Sequence, residues 1–284
     1  MTFEDKFDSS LDLLRRLDPQ QVDKNLHDLC TLIQNQDQQG EELVAELLSS
    51  VDTPLTVNKC SETGKSYLCC DYNRDGDSYR SPWSNQYFPQ VDEDAPYPSN
   101  TLRQLEIKAN DSFDIYRDLY YEGGGYSSVY LWDTEDDLSA GFAGVVLFKK
   151  QSDDGSGKWD SIHVFEVESE SSNTSALYKL TTSVILDLKS SKSSLNLAGN
   201  LTRQLQLSQS IELDGGLNLE TNHLINLGQL IEKSESNVRN LLQEVYFDKL
   251  KDIFLKDIRS LGDINEKKSE DSKQSEVIKG LQGL

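Results

Sequence analysis

One methionine, three tryptophans, three histidines, four cysteines and six prolines are all that the 284 residues hold of these types. No apolar run approaches the roughly 20 residues that a bilayer-spanning helix needs, so no membrane span is expected. The opening MTFEDKFDSS has neither the basic start nor the apolar stretch of a secretory leader. A cytosolic protein is the expectation. Cys30, Cys60, Cys69 and Cys70 lack framework spacing, and adjacent cysteines on a strand would face opposite ways. They read as reduced structural thiols. His27, His163 and His223 are scattered without metal-ligand spacing and read as packed or surface side chains.

Positive charge is also scarce. The chain carries 28 basic and 49 acidic residues, a formal charge of −21. Such a surface repels a phosphate backbone, which excludes nucleic acid as a general partner. The excess is uneven. Residues 255–284 balance six basic groups (Lys256, Arg259, Lys267, Lys268, Lys273, Lys279) against six acidic ones (Asp257, Asp263, Glu266, Glu270, Asp271, Glu276). That tail reads as a compositionally separate segment.

What is present is periodicity. In residues 1–52, Phe3, Phe7, Leu11 and Leu14 recur at helical spacing, as do Val22, Leu26, Leu29 and Ile33. Asp18 before Pro19 is a helix-start signal, and Leu43, Val44, Leu47 and Leu48 mark a third helix. Short connections predict an antiparallel bundle. Residues 53–98 lose this period, with one expected strand at 67–72. A helix returns from Ser99, with Leu102, Leu105, Ala109, Phe113 and Tyr116 on one face. The period then becomes two, predicting strands over 126–133, 141–150, 159–168, 175–189 and 194–207, joined by short polar turns. They form an antiparallel meander, apolar on both faces and so covered on both. A loop at 209–218 precedes a long helix to 254. Its Leu224, Leu227, Ile231, Ser234, Val238, Leu241 and Val245 follow seam spacing, and Leu230, Leu242, Tyr246 and Leu250 widen the stripe. The expected class is α+β.

Chemical motifs are weak. Residues 71–77, DYNRDGD, match the opening of a calcium-binding EF-hand loop, but the twelfth position, where that loop needs glutamate, is Pro82. A polar turn is expected instead. Residues 123–125 are a glycine run without the lysine and hydroxyl of a phosphate loop. The acidic pairs Asp136-Asp137 and Asp153-Asp154 read as solvated turns rather than acid/base partners. No nucleophile constellation stands out, so neither an enzyme nor a cofactor or metal site is expected.

The stretch CDYNRDGDSYRSPWSN, residues 70–85, resembles the hallmark segment of F-actin capping protein beta subunits. SLDLLRRLDPQQ, LLSSVDTPL, YRDLYYEGG, SSVYLWD, WDSIHVFEV, GNLTRQ and VRNLLQEVYFDKLKDI extend the resemblance over most of the chain, and the ending EVIKGLQGL is similar to fungal members. The resemblance implies an obligate heterodimer with an alpha subunit, the two meanders joining into one ten-stranded sheet. It implies steric, calcium-independent capping of the barbed ends of actin filaments, in the cytoplasm and cortical cytoskeleton. Regulatory proteins and phosphoinositides are further ligands it allows. The implied layout is a bundle at 1–52, a small strand region at 53–98, helix and sheet at 99–208, a long helix at 209–254, and a mobile actin-binding arm at 255–284. In the arm, Val277, Ile278, Leu281 and Leu284 share one helical face, while Gly280 and Gly283 each cost about 1 kcal/mol in a helix. Docking on actin is expected to order it. Arg239 matches an arginine of the family's actin-facing basic patch; a solvated helix face is the equally weighted reading. The hallmark segment is assigned to folding or dimer packing. The alternative function is a heterodimeric scaffold without filament-end activity.

Overall fold

The computed structural model describes residues 2–17, 21–34, 40–91, 95–121, 124–135, 140–153, 155, 157–170, 174–189 and 196–242. The chain divides into two compact units, Met1–Ser234 and Glu235–Leu284.

Three helices open the first unit: α1 (Phe3–Arg16), α2 (Val22–Gln34) and α3 (Gly40–Ser50). Thr2 and Asp5 close a capping box on α1. The Thr2 hydroxyl accepts from Asp5 N at 3.1 Å and the Asp5 carboxylate accepts from Thr2 N at 2.8 Å, so two orphan donors are satisfied. The predicted stripes meet inside the bundle, where Leu29, Leu43 and Leu47 pack with Phe3, Phe7, Leu11 and Leu14. The expected start at Asp18-Pro19 lies outside the described residues.

The next region holds more strand than its sequence suggests. A hairpin of β1 (Thr56–Lys59) and β2 (Ser66–Cys69) is followed by a 3-10 turn at Asp71–Asn73 and a small meander of β3 (Arg74–Asp75), β4 (Ser78–Arg80) and β5 (Tyr87–Phe88). Strands of two to four residues are too short to show alternation, which is why one strand was expected here. That strand stops at Cys69 because the Asn73 side chain accepts from Cys70 N at 2.9 Å and turns the chain. The calcium-loop-like stretch supplies the 3-10 turn and a hairpin turn. Asp75 pairs with Ser78, and Gly76, at φ 56°, takes the left-handed backbone that glycine tolerates.

The main sheet follows α4 (Asn100–Tyr120). It comprises β6 (Gly125–Asp133), β7 (Gly141–Gln151), β8 (Gly157–Ser169), β9 (Ser175–Lys189) and β10 (Asn196–Glu212). The five strands are antiparallel in the order β10-β9-β8-β7-β6, the expected meander. β10 runs five residues past its expected end, because β9 begins early enough to pair through Ser175↔Glu212 and because Leu207 and Ile211 still reach the core. Gly144 is required within β7, since a Cβ there would meet the Leu131 side chain at 2.5 Å and the Phe165 ring at 2.6 Å.

Both sheet faces are covered. On one, Val129, Leu131, Val146, Phe148, Phe165, Val167, Tyr178 and Leu180 pack against Leu102, Leu105, Ala109 and Phe113 of α4. Leu227, Leu230 and Ile231 of α5 (Leu219–Leu242) complete that layer. On the other, Tyr130, Val145, Leu147 and Ile162 pack on Leu55 and Leu68. Asp160, 3% exposed, anchors the linker after the bundle. It accepts from Leu55 N at 2.9 Å and from Lys149 Nζ at 2.7 Å. Burial pushes its carboxyl up from the usual range, and Lys149 opposes that rise.

Polar bonds also set α5 on the sheet. Ser234 Oγ donates to Thr182 Oγ1 at 2.7 Å, and Thr182 also meets His163 Nδ1 at 2.9 Å. Asn226 Nδ2 donates to the Tyr178 hydroxyl at 3.0 Å, and that hydroxyl also meets His223 Nδ1 at 2.8 Å. Burial lowers the pKa of His223 from 6.5 to about 4. The unfolded chain binds the proton more readily than the folded one between these values. The contribution of His223 to stability is therefore whole above pH 6.5 and is lost as pH falls toward 4, about 3 kcal/mol in all. Urea unfolding at pH 7.0 and 5.5 checks this: stability should fall on acidification, and His223→Gln should flatten the fall.

Candidate protein-protein interfaces

A five-stranded meander has two outer edges, each a row of unpaired backbone groups unless something covers it. The two edges here differ. Along β6, α4 presents Glu106, Asn110 and Asp114 at four-residue spacing, hence on one helical face. Asn110 Oδ1 accepts from Val129 N and its Nδ2 donates to Val129 O, each at 2.9 Å. Glu106 Oε2 accepts from Leu131 N at 2.7 Å. Asp114 accepts from the Ser127 hydroxyl at 2.6 Å. At the far end, Asp133 accepts from Ser99 N and from its hydroxyl, both at 2.7 Å.

Glu106 also fixes the hallmark segment. Arg80 makes two bonds of 2.8 Å to its carboxylate, Arg103 adds another, and the Arg80 and Glu106 side chains are 4% and 0% exposed. Arg80 Nη1 also donates to Asn85 Oδ1 at 2.6 Å; Asn85 sits at φ 59°, a region that asparagine tolerates better than most residues. Asn73 Nδ2 donates to Arg80 O at 2.9 Å. Asn73, Arg80 and Asn85 of residues 70–85 are thus held by bonds within this chain, while Asp71, Arg74, Gly76 and Asp77 are exposed.

β10 is the other edge. Among the described residues it pairs with β9 on one side only, and Gln206, Ser208, Gln209, Ser210 and Glu212 are exposed. No described strand bonds to its outer row.

Arg239 lies in the second unit, near the end of α5, with its side chain exposed. Its Nε donates to Glu235 O, one turn earlier, at 3.2 Å. Exposed Asn240 and Leu241 follow it. Leu241, counted in the expected seam, is 42% exposed, whereas Val238 is 2% exposed; the buried stripe narrows by that position. Val277, Ile278, Leu281 and Leu284 lie outside the described residues, as do Val245, Tyr246 and Leu250. Sequence reading missed the polar face of α4. The four-residue spacing of Glu106, Asn110 and Asp114 beside an apolar face was the available signal.

Residues 7–254 match the family model described as F-actin capping protein, beta subunit. The chain is 67% identical to the F-actin-capping protein subunit beta of Debaryomyces hansenii, over 100% of this chain and 99% of that protein. It is 51% identical to the Saccharomyces cerevisiae protein of the same name, over 98% of this chain and 99% of that one. A solved structure of the homodimeric actin capping protein alpha subunit from Plasmodium berghei superposes with a TM-score of 0.50 at 15% identity, covering 89% of this chain and 95% of that one. At that identity the likeness is one of fold.

Because Arg239 is exposed, Arg239→Ala should leave the unfolding midpoint unchanged. If the side chain meets a filament end, the substitution should weaken that binding roughly two- to fivefold, more at low salt than at high salt. Binding measured across a salt series, together with a melting curve, checks both halves.

Proposed function

Given that the chain belongs to the family of F-actin capping protein beta subunits, we propose that it pairs with an alpha subunit and caps the barbed ends of actin filaments, independently of calcium. The full-length correspondence with beta-subunit relatives carries this reading. The open β10 edge supports the pairing, since a second meander bonded there would continue the sheet to ten strands. Capping is then steric: the dimer occupies the terminal actin subunits and blocks both addition and loss. The setting is the actin cytoskeleton, in its cortical structures, with regulatory proteins and phosphoinositides as further ligands.

A formal charge of −21 supplies no attraction to an acidic filament. The contact proposed for this subunit is therefore apolar, made by Val277, Ile278, Leu281 and Leu284 of the neutral tail, with Arg239 as a local basic group. Residues 255–284 act as an arm that orders on actin. Burying one leucine is worth roughly 1.5–3 kcal/mol, or about 10–150-fold in affinity.

Elongation of pyrene-labelled actin from filament seeds, with this chain co-expressed with its alpha subunit, is the test. Nanomolar complex should stop barbed-end growth with calcium chelated. Leu281→Asp should speed dissociation of the cap about 10–150-fold while the dimer still assembles. Unimpeded growth at micromolar complex would overturn the reading.

A further inference from the structure

We propose that the polar face of α4 is an edge guard that confines strand pairing to β10, so that assembly stops at two sheets. This rests on the reading of β10 as the edge that pairs with the alpha subunit.

The argument begins with alternation. In an antiparallel pair, successive residues of an edge strand direct their backbone groups alternately to the neighbour and outward. Val129 N, Val129 O and Leu131 N all bond to α4 side chains rather than to β7, so they belong to the outward row of β6. These are the groups that an incoming strand would use. Asn110 imitates such a strand, offering an acceptor and a donor to one residue as a paired backbone would. Glu106 and Asp114, one turn to either side, extend the cover to Leu131 and to the Ser127 hydroxyl.

The guard is rigid. Glu106 is 0% and Asn110 is 2% exposed, and Glu106 is clamped by Arg80 and Arg103. The apolar residues of the same helix, Leu102, Leu105, Ala109 and Phe113, are buried in the core, so α4 cannot swing aside without opening it. An intruding strand would have to displace both hydrogen bonds of Asn110 and leave the buried amide unsatisfied, a costly exchange.

The consequence is geometric. A sheet with two free edges can add neighbours at both and grow into an open array. A sheet with one guarded edge adds one neighbour. If the partner's far edge is covered likewise, the assembly is closed at a heterodimer.

The test uses the complex with the alpha subunit and two readouts, mass by light scattering over a concentration series and amide exchange at Val129 and Leu131. Asn110→Ala removes both partners of Val129. It should raise exchange at Val129 about two- to tenfold, the equivalent of one lost hydrogen bond, and should produce species above the one-to-one complex as concentration rises. Asp133→Ala, at the exposed end of the edge where Ser99 is held, should act in the same direction more weakly without touching the core. An Asn110→Ala complex that stays one-to-one at every concentration overturns the guard, whatever its exchange rates. If Asn110→Ala does not fold, Asp133→Ala decides on the same mass readout. Failure of the unmodified chain to pair with the alpha subunit is a separate result, and it overturns the guard together with the reading of β10 on which it rests.

Discussion

Unpaired backbone at the edges of a sheet is the constraint on which the rest of this chain turns. Five consecutive antiparallel strands satisfy one another's hydrogen bonds everywhere except along the first and the last. A buried or apolar-flanked edge left open is an invitation to any other strand. On β6 the problem is solved within the chain by a helix that carries apolar residues on one face and hydrogen-bonding residues on the next. On β10 no described strand pairs with the outer row, and in the proposed assembly the alpha subunit bonds there.

The α4 helix can serve β6 only if it is held in register, and much of the small strand region serves that end. Arg80 reaches from β4 to the same carboxylate that binds Leu131 N, so the 70–85 segment, the helix and the sheet edge share one buried charge pair. Breaking such a pair by removing one partner is expensive, typically about 3–5 kcal/mol, because the other charge stays buried. The polar contacts of α5 with Tyr178 and Thr182 add direction to an apolar interface that would otherwise tolerate sliding. Capping as proposed here, by occupying space, calls for such rigidity more than for reactive groups.

Much of this was legible in the residues. The change of period from helical to alternating placed α4 and the five strands to within a few residues, because each runs long enough to show its pattern. The short strands β1, β3, β4 and β5 were invisible, since two to four residues cannot display alternation and their positions are set by Asn73, Asn85 and Gly76 rather than by apolar spacing. The end of β10 was misplaced because pairing with β9, a non-local fact, decides it. At the candidate interfaces, the exposed placement of Arg239 was consistent with either reading of it. The tail residues carry a pattern of their own but fall outside the described residues, so their role rests on sequence and resemblance. The guard of β6 was written in plain spacing and was passed over, because polar residues on a helix usually mean solvent.

The central claim is that β10 is an edge held open for a partner. Amide hydrogen exchange along β10, between Leu205 and Glu212, tests it most directly, comparing this chain alone with its complex with the alpha subunit. Outward-facing amides there should exchange quickly in the isolated chain and become protected in the complex, while the Val129 and Leu131 amides of β6 stay protected in both. Protection of β10 before the partner is added, or no gain on complex formation, would contradict the account.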